Sequence, residues 1–157
     1  MRSQDPQSGE LSLSPAHADE FEELLSLRIE AMRESLERIG RFDPARARER
    51  FRGSFAPQLT RHIVWNGERV GLVAVSPTPA GLSLDHLYVA PRHQGSGIGS
   101  AVLAIVFAEA DAAGLALRVA ALRESDSNRF YLRHGFVRSE DGEWDIYYVR
   151  PPRLARA

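Results

Sequence analysis

From Leu82 to Leu122 the chain reads as a strand, a glycine-rich turn, a helix and a second strand, and that order restricts the fold to very few arrangements. Leu82 to Val89 reads as a long strand, and Gln94-Gly95-Ser96-Gly97-Ile98-Gly99 breaks the pattern with glycine at every second position. Val102, Leu103, Val106 and Phe107 then recur at helical spacing within Ile98 to Ala113, and Gly114 stops the helix before the apolar run Leu115 to Leu122. A strand, helix and strand in this order make a right-handed crossover, so the two strands should be parallel neighbours in one sheet.

The flanking segments predict antiparallel pairing on either side. Arg61 to Trp65 and Arg69 to Ser76 are joined by Asn66-Gly67, a pair that tolerates positive φ and suits a tight hairpin. Pro77 to Gly81 turns the chain into the Leu82 strand. Beyond the crossover, Ser125 to Ser127 caps a short helix through His134 that Gly135 ends. Phe136 to Arg138 and Glu143 to Val149 then form two strands about Asp141-Gly142. Ahead of the hairpin, Ser14-Pro15 reads as a cap opening an amphipathic helix to Gly40, and Asp43-Pro44 opens a shorter one through Phe51. Glu10 to Leu13 makes a short first strand, residues 1–9 form a polar tail, and 10–157 form one domain. The sheet is therefore mixed.

Composition narrows the function classes. With 20 basic residues, all arginine, against 21 acidic ones, neither sign of field dominates, which argues against nucleic acid and anionic membrane as partners. The absence of cysteine excludes disulfides and thiolate metal sites, and His17, His62, His86, His93 and His134 lack paired ligand spacing, so no metal is expected. The polar start of the chain and the lack of a long apolar run point to a cytoplasmic address.

The glycine turn is a site for an anion. Free N–H groups converge at a helix start, where the positive end of the dipole lies, and glycine at 95, 97 and 99 lets a diphosphate approach the main chain. Arg92 and His93 add charge to its rim. A nicotinamide-binding fingerprint competes, but it requires glycine where Ser100 stands and an acidic residue where Leu122 and Arg123 stand. From Leu87 through Gly99, Leu-Tyr-Val-Ala-Pro-Arg-His-Gln-Gly-Ser-Gly-Ile-Gly resembles the coenzyme-binding motif of the GCN5-related N-acetyltransferase (GNAT) family, in which glutamine or arginine precedes Gly-x-Gly. Ser127 to Phe136, with Phe130-Tyr131 before Gly135-Phe136, resembles its second motif.

The resemblance implies an α/β (α+β) fold with a mixed, mostly antiparallel twisted sheet of about six to seven strands. A parallel central pair is splayed apart, and about four helices flank the sheet. It implies acetyl-coenzyme A as co-substrate, its pyrophosphate held by the main chain of Gln94, Gly95, Ser96, Gly97, Ile98 and Gly99 with Ser100 beside it. Main-chain groups of Leu87 and Val89 pair with the pantetheine arm, and Asn128 is a further coenzyme contact. Tyr131 faces the thioester sulfur, where a phenol serves as general acid when a thiolate leaves. Asp85 and His86, on the strand before the turn, are equal candidates for receiving the proton of the acceptor amine, with ordered water as the alternative. Alternate strand residues face opposite sides, so only a bulge would let both reach it.

The expected activity is transfer of an acetyl group to a primary amine by direct attack in a ternary complex, since no cysteine is present as an acyl carrier. The alternative is a non-catalytic acyl-coenzyme A binding or sensing module of the same fold. Residues 32–55 and 144–148 should set the acceptor, with Arg28, Glu30, Arg33 and Trp144 as wall residues. Acetyl-coenzyme A and an amine are the expected partners, and a homodimer is left open.

Overall fold

The computed structural model describes residues 9–154; the first eight residues of the expected tail lie outside them. Seven strands form one sheet: β1 (Leu11–Pro15), β2 (Thr60–Trp65), β3 (Glu68–Thr78), β4 (Gly81–Val89), β5 (Leu117–Leu122), β6 (Val137–Asp141) and β7 (Asp145–Arg150). Their spatial order is β1-β2-β3-β4-β5-β7-β6, and every neighbouring pair is antiparallel except β4 and β5. The helices are α1 (Phe21–Arg38), α2 (Pro44–Ser54), α3 (Ile98–Ala113) and α4 (Ser127–Arg133). The fold class and the helix expected at 98–113 agree with the sequence reading. Among the described residues, no helix is long and apolar enough to cross a membrane.

Local chemistry accounts for most boundaries. Asn66 and Gly67 adopt φ of 51° and 83°, the left-handed pair that a two-residue hairpin requires. The Asp43 carboxylate accepts from the amides of Ala45 and Arg46, capping α2 as its Asp-Pro start predicts. Ser14-Pro15, in contrast, does not open α1. Pro15 ends β1 opposite Arg61 at the edge of the sheet, where a residue without an N–H is tolerated. The helix begins six residues later, after a 3₁₀ turn at Ala18–Glu20, where the Glu20 carboxylate accepts from the His17 amide at 2.7 Å. Sheet pairing carries β3 on to Thr78, opposite Gly81, and starts β5 at Leu117, opposite Leu82; α2 extends to Ser54.

Each face of the sheet carries its own core. Leu24, Leu25 and Phe51 of α1 and α2 pack on Leu72, and the Phe21, Phe51 and Phe55 rings lie 5.3 to 5.6 Å apart. On the other face, Ile98, Val102, Leu103 and Val106 of α3 join Tyr131 and Phe136 against Leu84, Val119 and Tyr148. Burial of each such side chain contributes about 1.5 to 3 kcal/mol. The helix pairs are therefore fixed to opposite faces, and an opening in the sheet connects the space beneath them.

Candidate active site

That opening lies between β4 and β5. The strands pair at Leu82 with Leu117, Ser83 with Arg118 and Leu84 with Val119, and then part. Beyond this point β4 stays bound to β3 as far as Val89 opposite Gly71, while β5 follows β7 to Leu122 opposite Asp145. Asp85 marks the divergence, because Ala74 pairs with His86 and Val75 with Leu84, leaving Asp85 as the extra residue of a β-bulge. The bulge also resets the faces: Leu84 and Leu87 both join the α3 side, while His86 lies against Phe51 and Tyr88 packs beside His86 on the α1–α2 side.

Beyond the bulge, the gap-side main-chain groups of β4 pair with no neighbouring strand. The Ala90 amide donates to Val70 of β3 at 2.8 Å, so the main-chain groups of Val89 point the opposite way. The Val89 carbonyl there accepts from the Gln94 side-chain amide at 2.9 Å. Gln94 thus ties the end of the strand to the start of the glycine turn.

In that turn Gly95 and Gly97 have φ of 80° and 85°, and a Cβ at either would meet nothing within 4 Å; backbone conformation, not crowding, requires glycine there. Gly99 is different, since a Cβ would lie 3.2 Å from the Phe130 ring, so glycine permits the close approach of α3 and α4. The first internal bond of α3 runs from the Ala101 amide to the Gly97 carbonyl. Among the described residues, the amides of Gly95, Ser96, Gly97, Ile98, Gly99 and Ser100 donate to no protein group. A row of unpaired donors at a helix N-terminus is an anion site.

Two cavities meet at the gap. One, of about 630 Å³, runs over the glycine turn and is lined by Leu87, Val89, Gln94, Ser100, Phe130 and Tyr131 among others. The second, of about 380 Å³, lies under α1 and α2 and is lined by Arg28, Asp85, His86, Tyr88, Trp144 and again Tyr131. Tyr131 is 7% exposed and borders both. Burial, with the neighbouring Tyr88 phenol, pushes its pKa well above the usual tyrosine range, so the hydroxyl keeps its proton. Phe130 and Phe136 hold its ring edge-on at 5.5 and 5.3 Å.

The remaining candidates are distributed unevenly. Asp85 is exposed in the second cavity and accepts from the Ser83 hydroxyl at 2.7 Å. His86 lies in the same wall but is buried, its Nε2 3.2 Å from the Ser54 hydroxyl and its Nδ1 without a partner. Burial, with Arg28 nearby, lowers its pKa to about 4. The Ser96 hydroxyl turns back to the His93 carbonyl, and Ser100 shares a 2.9 Å hydrogen bond with His134 Nε2. Ile98 is buried in the core and offers the site only its main chain. Asn128 borders neither cavity: its amide donates to the Leu122 and Ser125 carbonyls, and its oxygen accepts from the Tyr148 hydroxyl. That position locks the end of β5 to α4 and β7.

Of the four expected wall residues, Arg28 and Trp144 line the second cavity; Glu30 and Arg33 do not, and Arg33 instead pairs with Glu37 at 2.9 Å. Tyr88 was missed, although its place two residues after His86 on a strand carries the signal. Outside the cavities, Glu20, Glu23 and His62 bring ligand atoms within 4.8 Å of one another, but the Arg69 guanidinium bridges both carboxylates and supplies the cation.

The profile of the Acetyltransferase (GNAT) domain matches residues 59–138, just over half of the chain. The chain belongs to this family. The match covers the hairpin, the splayed pair, the glycine turn and α4. No curated protein matches the sequence closely enough to count as a relative. Among solved structures, the PaiA N-acetyltransferase of Thermoplasma acidophilum in complex with coenzyme A superposes with a TM-score of 0.74 at 14% identity, over 90% of this chain and 99% of that one. The N-acetylglutamate synthase of Neisseria gonorrhoeae, complexed with coenzyme A and N-acetyl-glutamate, gives 0.66 at 18% identity, over 95% of this chain and 36% of the other. A ribosomal-protein-alanine N-acetyltransferase of Escherichia coli gives 0.66 at 17%, over 94% and 97%. At these identities the likeness establishes the fold.

Proposed function

We propose that this GNAT protein transfers an acetyl group from acetyl-coenzyme A to a primary amine in the cytoplasm, by direct attack in a ternary complex. The observation that carries the reading is the row of unpaired amides from Gly95 to Ser100 at the mouth of a gap between two parallel strands. Those donors suit a pyrophosphate, and the gap-side groups of Leu87 and Val89 suit an extended pantetheine arm added as a strand. Coenzyme A in two of the similar structures agrees with this.

The thioester then lies beside Tyr131, between the coenzyme cavity and the acceptor cavity. The amine nitrogen bonds to the acetyl carbon, the carbon–sulfur bond breaks, and the sulfur takes up a proton or hydrogen bond from the Tyr131 hydroxyl. The acceptor must shed the proton of its ammonium form. Asp85 suits that task better than His86, because its carboxylate faces the cavity and attracts the ammonium. His86, with a pKa lowered to about 4, is neutral and weakly basic at pH 7. His86 then serves as wall and hydrogen-bond partner of Ser54.

A coenzyme titration coupled to thiol release over a broad amine panel tests the reading. Acetyl-coenzyme A should bind, and free thiol should appear only when an accepted amine is present. Binding with no thiol released from any amine would favour the sensing module, and absence of binding would remove both readings.

A further inference from the structure

We propose that the acceptor is a small amine bearing a carboxylate, which Arg28 and the cavity-facing arginines of α2 receive; this rests on the acetyl-transfer reading. The cavity of about 380 Å³ is walled on its helical side by Arg28, Arg41, Arg46 and Arg50. None of the four reaches a carboxylate at ion-pair distance among the described residues. Arg48, between Arg46 and Arg50 but not lining the cavity, pairs instead with Glu22.

Arg28 is the most constrained. Its guanidinium carbon lies 5.7 Å from the Tyr88 ring and 5.9 Å from the Phe51 ring, and its Nε is buried without a hydrogen-bond partner. A buried charged donor left unpaired is costly, and an anion in the cavity would relieve that cost. Arg41, its guanidinium carbon 3.9 Å from the Trp144 ring centroid, lines the same cavity.

Asp85 and Asp145 stand on the sheet side of the same cavity. The walls thus offer a positive pole under the helices and a negative pole beside the gap where the amine must react, which is complementary to a zwitterion. With Asp43, three carboxylates offset the four guanidiniums and leave one net positive charge. That balance suits a single carboxylate, whereas a phosphate monoester carries roughly −1.5 to −2. A polyamine would meet four guanidiniums with no carboxylate of their own.

The test compares amino acids with their α-carboxamides, aminoalkyl phosphates and diamines, in thiol release by the wild type, Arg28→Gln and Arg50→Gln. The carboxylate forms should exceed the carboxamides by at least about tenfold in kcat/KM, and Arg28→Gln should reduce that ratio to about threefold or less with the acetyl-coenzyme A KM unchanged. Arg50→Gln, on an exposed helix face, should reduce it by a smaller factor. Carboxamide, phosphate or diamine turned over equally well or better would overturn the proposal.

A second readout does not need turnover. Trp144 fluorescence, titrated with N-acetyl amino acids and with their amides, should report tighter binding of the acids and lose that preference in Arg28→Gln. Equal affinities would overturn the proposal. Failure to bind acetyl-coenzyme A would instead strike the acetyl-transfer reading, leaving the Trp144 titration to decide this one.

Discussion

Tyr131 illustrates how burial determines what a side chain can contribute. Its hydroxyl finds no protein hydrogen-bond partner among the described residues, so removing it costs little of the fold, under about 1 kcal/mol. Tyr131→Phe should therefore lower kcat by about a hundredfold while leaving coenzyme affinity within about twofold, as measured by steady-state kinetics and calorimetric titration. Undiminished kcat would remove the phenol from the reaction. His86 carries a different consequence of burial. Its pKa falls from an unfolded value near 6.5 to about 4, so the native state holds it neutral. Its contribution is intact above pH 6.5 and is lost as pH falls through 6.5 toward 4, where only the unfolded chain takes up the proton; the loss sums to about 3 kcal/mol. The His62 imidazole, 3.0 Å from the Glu20 carboxylate, and the Arg150 guanidinium, hydrogen-bonded to Asp111, lower those carboxyls to about 2, so their contributions are lost only as pH falls from the ordinary carboxylate values toward 2. Urea midpoints should thus fall steeply between pH 6.5 and 4.5 in the wild type and much less in His86→Phe. A flat wild-type profile across that window would contradict a buried neutral imidazole.

At the level of elements, the glycine turn makes a clean experimental target. Gly97 has positive φ with open space around its missing Cβ, so Gly97→Glu costs about 1 to 2 kcal/mol of backbone strain without a clash. The new carboxylate would sit at the unpaired amides proposed to hold phosphate, and coenzyme affinity should fall at least about tenfold, while Gly97→Asn, which tolerates the same φ, should bind nearly as wild type. Equal affinity of the Glu variant, measured by titration, would mean that the turn holds no anion. This turn, α3 and the parallel pair were legible in the sequence because glycine spacing, helical period and crossover handedness are local signals. The start of α1 was not, because Ser14-Pro15 satisfies the cap pattern equally well, and only pairing with Arg61, 46 residues away, places it in β1. The bulge at Asp85 was likewise hidden, since β3 sets its register, and with it the reason that Asp85 and His86 share one cavity. The arginine wall has no motif at all: Arg28 and Arg50 become neighbours of one space only when α1 and α2 settle over β4. Asn128 was misleading for a similar reason, as its partners Leu122 and Tyr148 come from two strands that only the folded sheet brings together.

Across the whole molecule, the sheet is divided where the chemistry is proposed to occur. Strands β1 to β4 form one antiparallel block and β5 to β7 another, joined within the sheet by three residue pairs, with α3 and α4 packed across the seam. A coenzyme arm in the gap would supply the missing ladder beyond Leu84, so binding should stiffen the seam as well as fill a cavity. Hydrogen exchange can resolve this by position. With saturating acetyl-coenzyme A, the amides of Leu87 and Val89 and those from Gly95 to Ser100 should gain protection. Leu84 and Val119, already paired across the strands, should change little beyond the global shift. That shift is fixed by mass action at about 2.7 kcal/mol when the ligand stands at a hundred times its Kd, and protection at the seam should exceed it only where the gap itself was opening. Protection confined to Gly95 to Ser100 would mean that the pyrophosphate docks while the arm stays outside the sheet, leaving the thioester away from Tyr131. Such a result would retain the anion site and remove the alignment on which acetyl transfer depends.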